Sequence, residues 1–178
     1  MNIFDFTKDK DSDKQYDYKI LVYPNITYMQ DLEKDSYVVV LRNVIKELNK
    51  IRDDIHWTIL SPTEIQSLVF ENTTQILINL PSYPNAMRTH FNFTELKDVL
   101  KWKTTDYDVL YSHLPEHTDQ LVNLFSNNTN ITPKVVGYCD WYEVPENTAY
   151  NKTMLMANFA GMLEMDECGV NSEWLKSL

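Results

Sequence analysis

Glycine is nearly missing, with three in 178 residues. A loop that cradles phosphate needs bare backbone at several closely spaced positions. Neither G-x-G-x-x-G nor G-x-x-x-x-G-K-[ST] can be written anywhere in the chain. Cysteine is scarcer still: Cys139 and Cys168 are alone. Two thiols do not make a metal framework; they allow one disulfide, or two buried thiols, which a reducing compartment favours. The nucleophile-elbow pattern G-x-S-x-G is absent, which disfavours a small α/β hydrolase. No apolar run approaches the ~18 residues of a membrane-spanning helix.

Positive charge is also short. Lys and Arg number 16 against 26 Asp and Glu, for a net charge of −10. Such a surface repels the phosphates of nucleic acids and of anionic membranes. The 43% hydrophobic and 24% charged residues are ordinary for a folded domain, and the length fits one core. Six N-x-[ST] sequons occur, at Asn25, Asn72, Asn92, Asn127, Asn130 and Asn151, with no signal peptide before them. They read as a by-product of Asn and Thr richness, and the expected location is cytoplasmic.

What is present is alternation. Residues 1–17 are charged and turn-like apart from Ile3, Phe4 and Phe6, and are expected to form a flexible arm. From residue 18 onward, short apolar runs alternate with segments of helical period. "YKILVYP", "HWTILSP", "QILINLPSYP", "YDVLYSH", "KVVGYCDW" and a short run in "ECGVN" read as strands. Between them, Ser36 is read as the cap of a helix in which Val39, Val40, Asn43, Val44, Glu47, Leu48 and Ile51 recur near helical spacing, and "TEIQSLVF" as a short helix. Further helices are expected over "TELKDVLKW", over "PEHTDQLVNLFSNN", and over "TAYNKTMLMANFAGMLEMD", with Met154, Leu155, Phe159 and Met162 on its apolar side. Continuous apolar strands alternating with helices predict an α/β domain over 18–178: Rossmann-like, doubly wound, with a mainly parallel sheet of about six strands.

In such a domain ligands bind outside the carboxyl ends of the strands. Those ends carry Asn25 and Tyr28, Ser61, Tyr83 and Arg88, Ser112 and His113, Asp140, Trp141 and Glu143, and Ser172. His113 is either a hydrogen-bond partner or general base toward a substrate hydroxyl, or a cap for the loop after its strand. Asp140 with Trp141 is either a platform for a ring and its hydroxyls or a turn beside core aromatics. Arg88 either pins an anionic group or closes a loop salt bridge. His117 reads as a solvated first-turn residue and Cys139 as a buried thiol. No spacing suits a metal site.

The segments "DYDVLYSHLPE", "PKVVGYCDWYEVPEN" and "ECGVNSEWLKSL" resemble, in this order, the N-terminal half of GT-B glycosyltransferases. The closing N-S-x-W-L pattern is the most specific piece, and composition and "CDWYE" look similar to enzymes of large DNA phages. The resemblance implies an acceptor-binding domain whose nucleotide-sugar co-substrate is held mostly by a second, C-terminal domain absent from this chain. It implies no bound metal or other cofactor. From their places on the rim, His113 and Asp140 are the expected catalytic residues, and Asn25, Tyr28, Tyr83, Arg88, Ser112, Trp141, Glu143 and Ser172 the expected substrate contacts. The acceptor is a glycan, a small molecule or a modified nucleic acid. Two departures stand out: the turn after the first strand, "YPNITYMQDLEKD", holds no glycine, and the donor domain's E-x7-E pattern is nowhere in the chain. The competing expectation is a non-catalytic Rossmann-like binding or assembly module.

Overall fold

The computed structural model describes residues 15–24, 31–77, 107–113, 115, 118–126, 133–139 and 152–170. They form one six-stranded, all-parallel sheet in the order β3-β2-β1-β4-β5-β6. The strands are β1 (Tyr18–Tyr23), β2 (Ile55–Ser61), β3 (Thr73–Leu77), β4 (Val109–Ser112), β5 (Lys134–Cys139) and β6 (Glu167–Val170). Helix α1 (Ser36–Ile51) joins β1 to β2, α2 (Thr118–Ser126) joins β4 to β5, and α3 (Lys152–Leu163) joins β5 to β6. The Rossmann-like expectation holds.

The strand order follows from crossover handedness. Walking outward from β1 to β3 and then from β4 to β6 reverses direction, so right-handed connections put helices on both faces. Two cores result. On one face Val38, Leu41 and Ile45 of α1 pack on Val22, Trp57 and Ile59. On the other, Leu121 of α2 packs with Leu21, Leu60, Leu110 and Val135. Central strands buried on both faces favour apolar residues at most positions, which is why they read as runs rather than alternations.

Local detail departs from the sequence reading in three places. The cap of α1 is Asp35, whose carboxylate accepts the Tyr37 N–H at 2.9 Å, and Ser36 is the first helical residue. Adjacent Asp and Ser are both good caps, and backbone entry angle decides between them. The "TEIQSLVF" stretch makes only a single 3-10 turn, Gln66–Leu68. Gln75 on β3 explains this: its side-chain amide donates to the Ile65 carbonyl and its oxygen accepts the Ile65 N–H, both at 2.9 Å, pinning the backbone in an extended form.

The third departure is α3. It is apolar almost all round, so no stripe marks its inner side. The inward residues are Asn158, fully buried, and Gly161. A Cβ on Gly161 would lie 1.6 Å from the carbonyl oxygen of Pro115, so bare backbone is what lets α3 close on the turn after β4. Phe159, placed inside by the sequence reading, is 52% exposed, with Met156 and Leu163 beside it on the outer side. The arm up to residue 14, the helix expected over "TELKDVLKW" and the Ser172 cap lie outside the described residues.

Candidate functional site at the strand switch

The point where strand order reverses lies between β1 and β4. Tyr23 pairs with Ser112 at their carboxyl ends, and the ladder runs one bond further: the His113 N–H donates to the Tyr23 carbonyl at 3.0 Å. His113 therefore stands at the strand switch, the place where ligands bind in folds of this class.

Its side chain is enclosed by tyrosines from three elements. The Tyr37 ring, from the first turn of α1, is centred 4.5 Å from the imidazole. Tyr138 on β5 lies 5.1 Å away, and Tyr111, two residues earlier on β4, meets it edge-on at 5.7 Å. The phenol oxygen of Tyr111 is 3.3 Å from His113 Nδ1. The imidazole is 0% exposed, while Tyr111 and Tyr138 are half-buried. His113 is expected on the rim at the strand ends, and the structure places it there but behind its tyrosines. Alternation along β4 makes the Tyr111–His113 contact legible, since residues i and i+2 share a face. Tyr37 and Tyr138 had no local signal.

Ser112, on the opposite face of β4, is fully buried and its hydroxyl accepts from the Thr118 hydroxyl at 2.9 Å. It fastens the start of α2 to the sheet. Ser61, also fully buried, donates to the Thr63 carbonyl at 2.5 Å.

The start of α1 decides what the strand switch can hold. A helix N-terminus beside a parallel strand is the usual seat of a phosphate, since free N–H groups and the dipole attract anions. Here the buried carboxylate of Asp35 occupies it. An incoming phosphate would meet a negative charge and find a backbone donor already taken. Ahead of the cap, Glu33 reaches across to the β2–β3 connection, where both its oxygens lie 3.3 Å from the Ser67 N–H. Hydrogen bonding from Ser67 holds the Glu33 carboxyl below the usual range, against a smaller opposing effect of burial.

Of the other predicted site residues, Asn25, Tyr28, Tyr83, Arg88, Asp140, Trp141, Glu143 and Ser172 lie outside the described residues, as does His117. Among the described residues no group of three or more His, Cys, Asp or Glu could hold a metal ion, and no helix is long and apolar enough to cross a membrane. Neither Cys139 nor Cys168 is in a disulfide. They sit on neighbouring strands but two register positions apart, Cys139 facing Val170 and Cys168 facing Gly137. With ~4.8 Å between strands and ~3.3 Å rise per residue, their Cα atoms are roughly 8 Å apart, beyond a disulfide's reach.

At the opposite end of the sheet, Asn49, Arg52, Asp53, Phe70, Glu71 and Asn72 line a shallow groove of about 280 Å³. Asn49 and Asn72 donate to each other's amide oxygens there, at 3.0 and 2.9 Å, and Asn72 also donates to the Ile55 carbonyl. The Asn72 sequon is thus buried and consumed by structure. Arg52 is held by Asp54 and lies 4.4 Å over the Tyr18 ring.

No protein-family model matches the chain, and no curated protein matches it. What is established is the architecture: an α/β Rossmann-like domain with a parallel six-stranded sheet.

Proposed function

We propose that this chain is the acceptor-binding half of a glycosyltransferase, moving a sugar from a nucleotide-sugar to an acceptor hydroxyl in partnership with a second, donor-binding domain. The observation that carries this reading is the buried Asp35 carboxylate at the start of α1. It fills the position where a nucleotide's phosphates would bind, and the side chains packed about the strand switch beside it are phenols and an imidazole. Such a setting suits an uncharged ligand rich in hydroxyls, with ring faces for the tyrosines to stack on. That is the chemistry of a sugar acceptor and not of the donor. The resemblance of the "YDVLYSH", "GYCDWYEVPEN" and "VNSEWLKSL" segments to GT-B enzymes supports the same assignment.

Titrating the labelled chain with nucleotide-sugars, neutral glycans and modified nucleosides tests it. Amide shifts at Tyr23 and His113 are expected with at least one acceptor class and not with the nucleotide portion of the donor. Shifts caused by nucleotide alone, or by nothing in the panel, would remove the acceptor role.

A second reading, a non-catalytic assembly module, draws on the outward Met156, Phe159 and Leu163 of α3. A stable complex captured through that face and lost on Phe159→Glu, with no ligand found at the strand switch, would favour it.

A further inference from the structure

Helix α3 leaves one side uncovered. Asn158 and Gly161 face the body of the domain. On the opposite side Met156, Phe159 and Leu163 stand at 56%, 52% and 70% exposure, with the half-buried Ala160 among them. The spacing i, i+3, i+4, i+7 makes these four residues one stripe. α3 leads into β6, the last strand in the sheet order, and no strand beyond β6 is found among the described residues.

The charges at the two ends of α3 choose the occupant. The helix opens on Lys152 and has no charged residue from Thr153 to Leu163. Glu164, Asp166 and Glu167 follow its end. Both ends are therefore charged against the helix's own dipole, which favours acids at the N-terminus and bases at the C-terminus. An antiparallel twin reverses this. The lysine end of each copy then lies beside the acidic end of the other, twice by symmetry. The stripe is self-complementary in the same alignment. With the twofold axis between positions 159 and 160, Met156 lies opposite the second copy's Leu163, and Phe159 opposite its Ala160, large against small. A chain of net charge −10 repels its own copies elsewhere, so an uncharged stripe is where two can meet. We propose that α3 is a homodimer surface, on which two copies of this chain pair their α3 helices antiparallel about that axis. The twelve residues of α3 span about 18 Å, so the contact falls short of the ~800 Å² per partner of a standard interface, and association is concentration-dependent. This goes beyond the assembly reading by naming the partner, and it does not depend on acceptor binding.

Sedimentation equilibrium of the whole chain from about 10 μM to about 1 mM, the range in which a small interface associates, tests the pairing. The mass is expected to rise from 21.0 kDa toward twice that value. Phe159→Glu puts a carboxylate from each copy at the axis and should keep the chain monomeric. Lys152→Glu should weaken the dimer about tenfold at low salt, and adding Glu164→Lys should restore it. A chain that stays monomeric, or a dimer indifferent to Phe159→Glu, overturns the inference. So does a dimer that Lys152→Glu leaves unchanged or that the charge swap fails to restore. Isotope-filtered NOEs in a mixture of labelled and unlabelled wild type need no variant. A contact between Met156 of one copy and Leu163 of the other is expected, and a Met156–Met156 contact overturns the antiparallel alignment. Acceptor binding by a chain that never dimerises refutes this inference and leaves the proposed function standing. A dimer that binds no acceptor does the reverse.

Discussion

Gly161→Ala is the sharpest probe of how α3 reaches the sheet, because two effects of opposite sign compete. In an open helix interior, alanine in place of glycine stabilises by roughly 0.5–1 kcal/mol through backbone entropy. Here the added Cβ would stand 1.6 Å from the Pro115 carbonyl oxygen and 2.5 Å from its carbon. Ordinary contact begins at 3.4 Å, so the gap is short by nearly 2 Å, and both neighbours are backbone. Neither side has a rotamer to turn. Relief requires α3 to lift or the turn after His113 to shift, and overpacking of this kind costs about 1–3 kcal/mol. Net of the entropy gain, destabilisation of about 1–2 kcal/mol is expected. For a domain of this size that is a fall in Tm of about 2–8 °C, read by urea and thermal unfolding. The displaced turn should also shift the His113 amide, two residues from Pro115. A Gly161→Ala variant as stable as the parent, or more so, would refute the close approach of α3.

Other outcomes follow from single contacts. Gln75→Leu strands the buried N–H and carbonyl of Ile65 and should cost about 2–4 kcal/mol in urea unfolding; a cost under ~1 kcal/mol would contradict the pinning role. Glu33 has a folded-state pKa below its ordinary value of 4.5, so its stabilisation is full above that value and drains as pH falls through the lower folded one. Wild type and Glu33→Gln should therefore converge in stability on acidification from pH ~6 to ~3, and a constant gap would deny the Ser67 clamp. Oxidised glutathione should leave no intramolecular bond between Cys139 and Cys168, and burial, which pushes the Cys168 thiol above its ordinary value, should slow its alkylation at neutral pH; a Cys139–Cys168 crosslink by mass spectrometry would overturn the register.

Strands are legible because a sheet covered on both faces leaves a near-continuous apolar record, as in Ile20–Tyr23 and, interrupted only by Thr58, Trp57–Leu60. The site was legible only as a set of strand ends. His113 at the end of β4 could be named from sequence, and Tyr111 could be placed on its face. Its burial could not, since Tyr37 arrives from α1 and Tyr138 from β5, and neither approach leaves a local trace. The inner side of α3 was misread for a related reason. Packing there turns on a glycine facing a proline carbonyl, while hydrophobicity points everywhere along the helix. Asp35 was passed over for Ser36 because side-chain chemistry alone ranks them equally.

The charge on Asp35 is the feature that most directly separates an acceptor site from a nucleotide site. Inorganic pyrophosphate titrated into the 15N-labelled chain, alongside Asp35→Asn, tests it through the Ser36 and Tyr37 amides. The wild type should show no saturable shift, and Asp35→Asn, which keeps a cap but drops the charge, should gain weak, salt-sensitive binding. Saturable pyrophosphate binding to the wild type at those two amides would contradict the assignment.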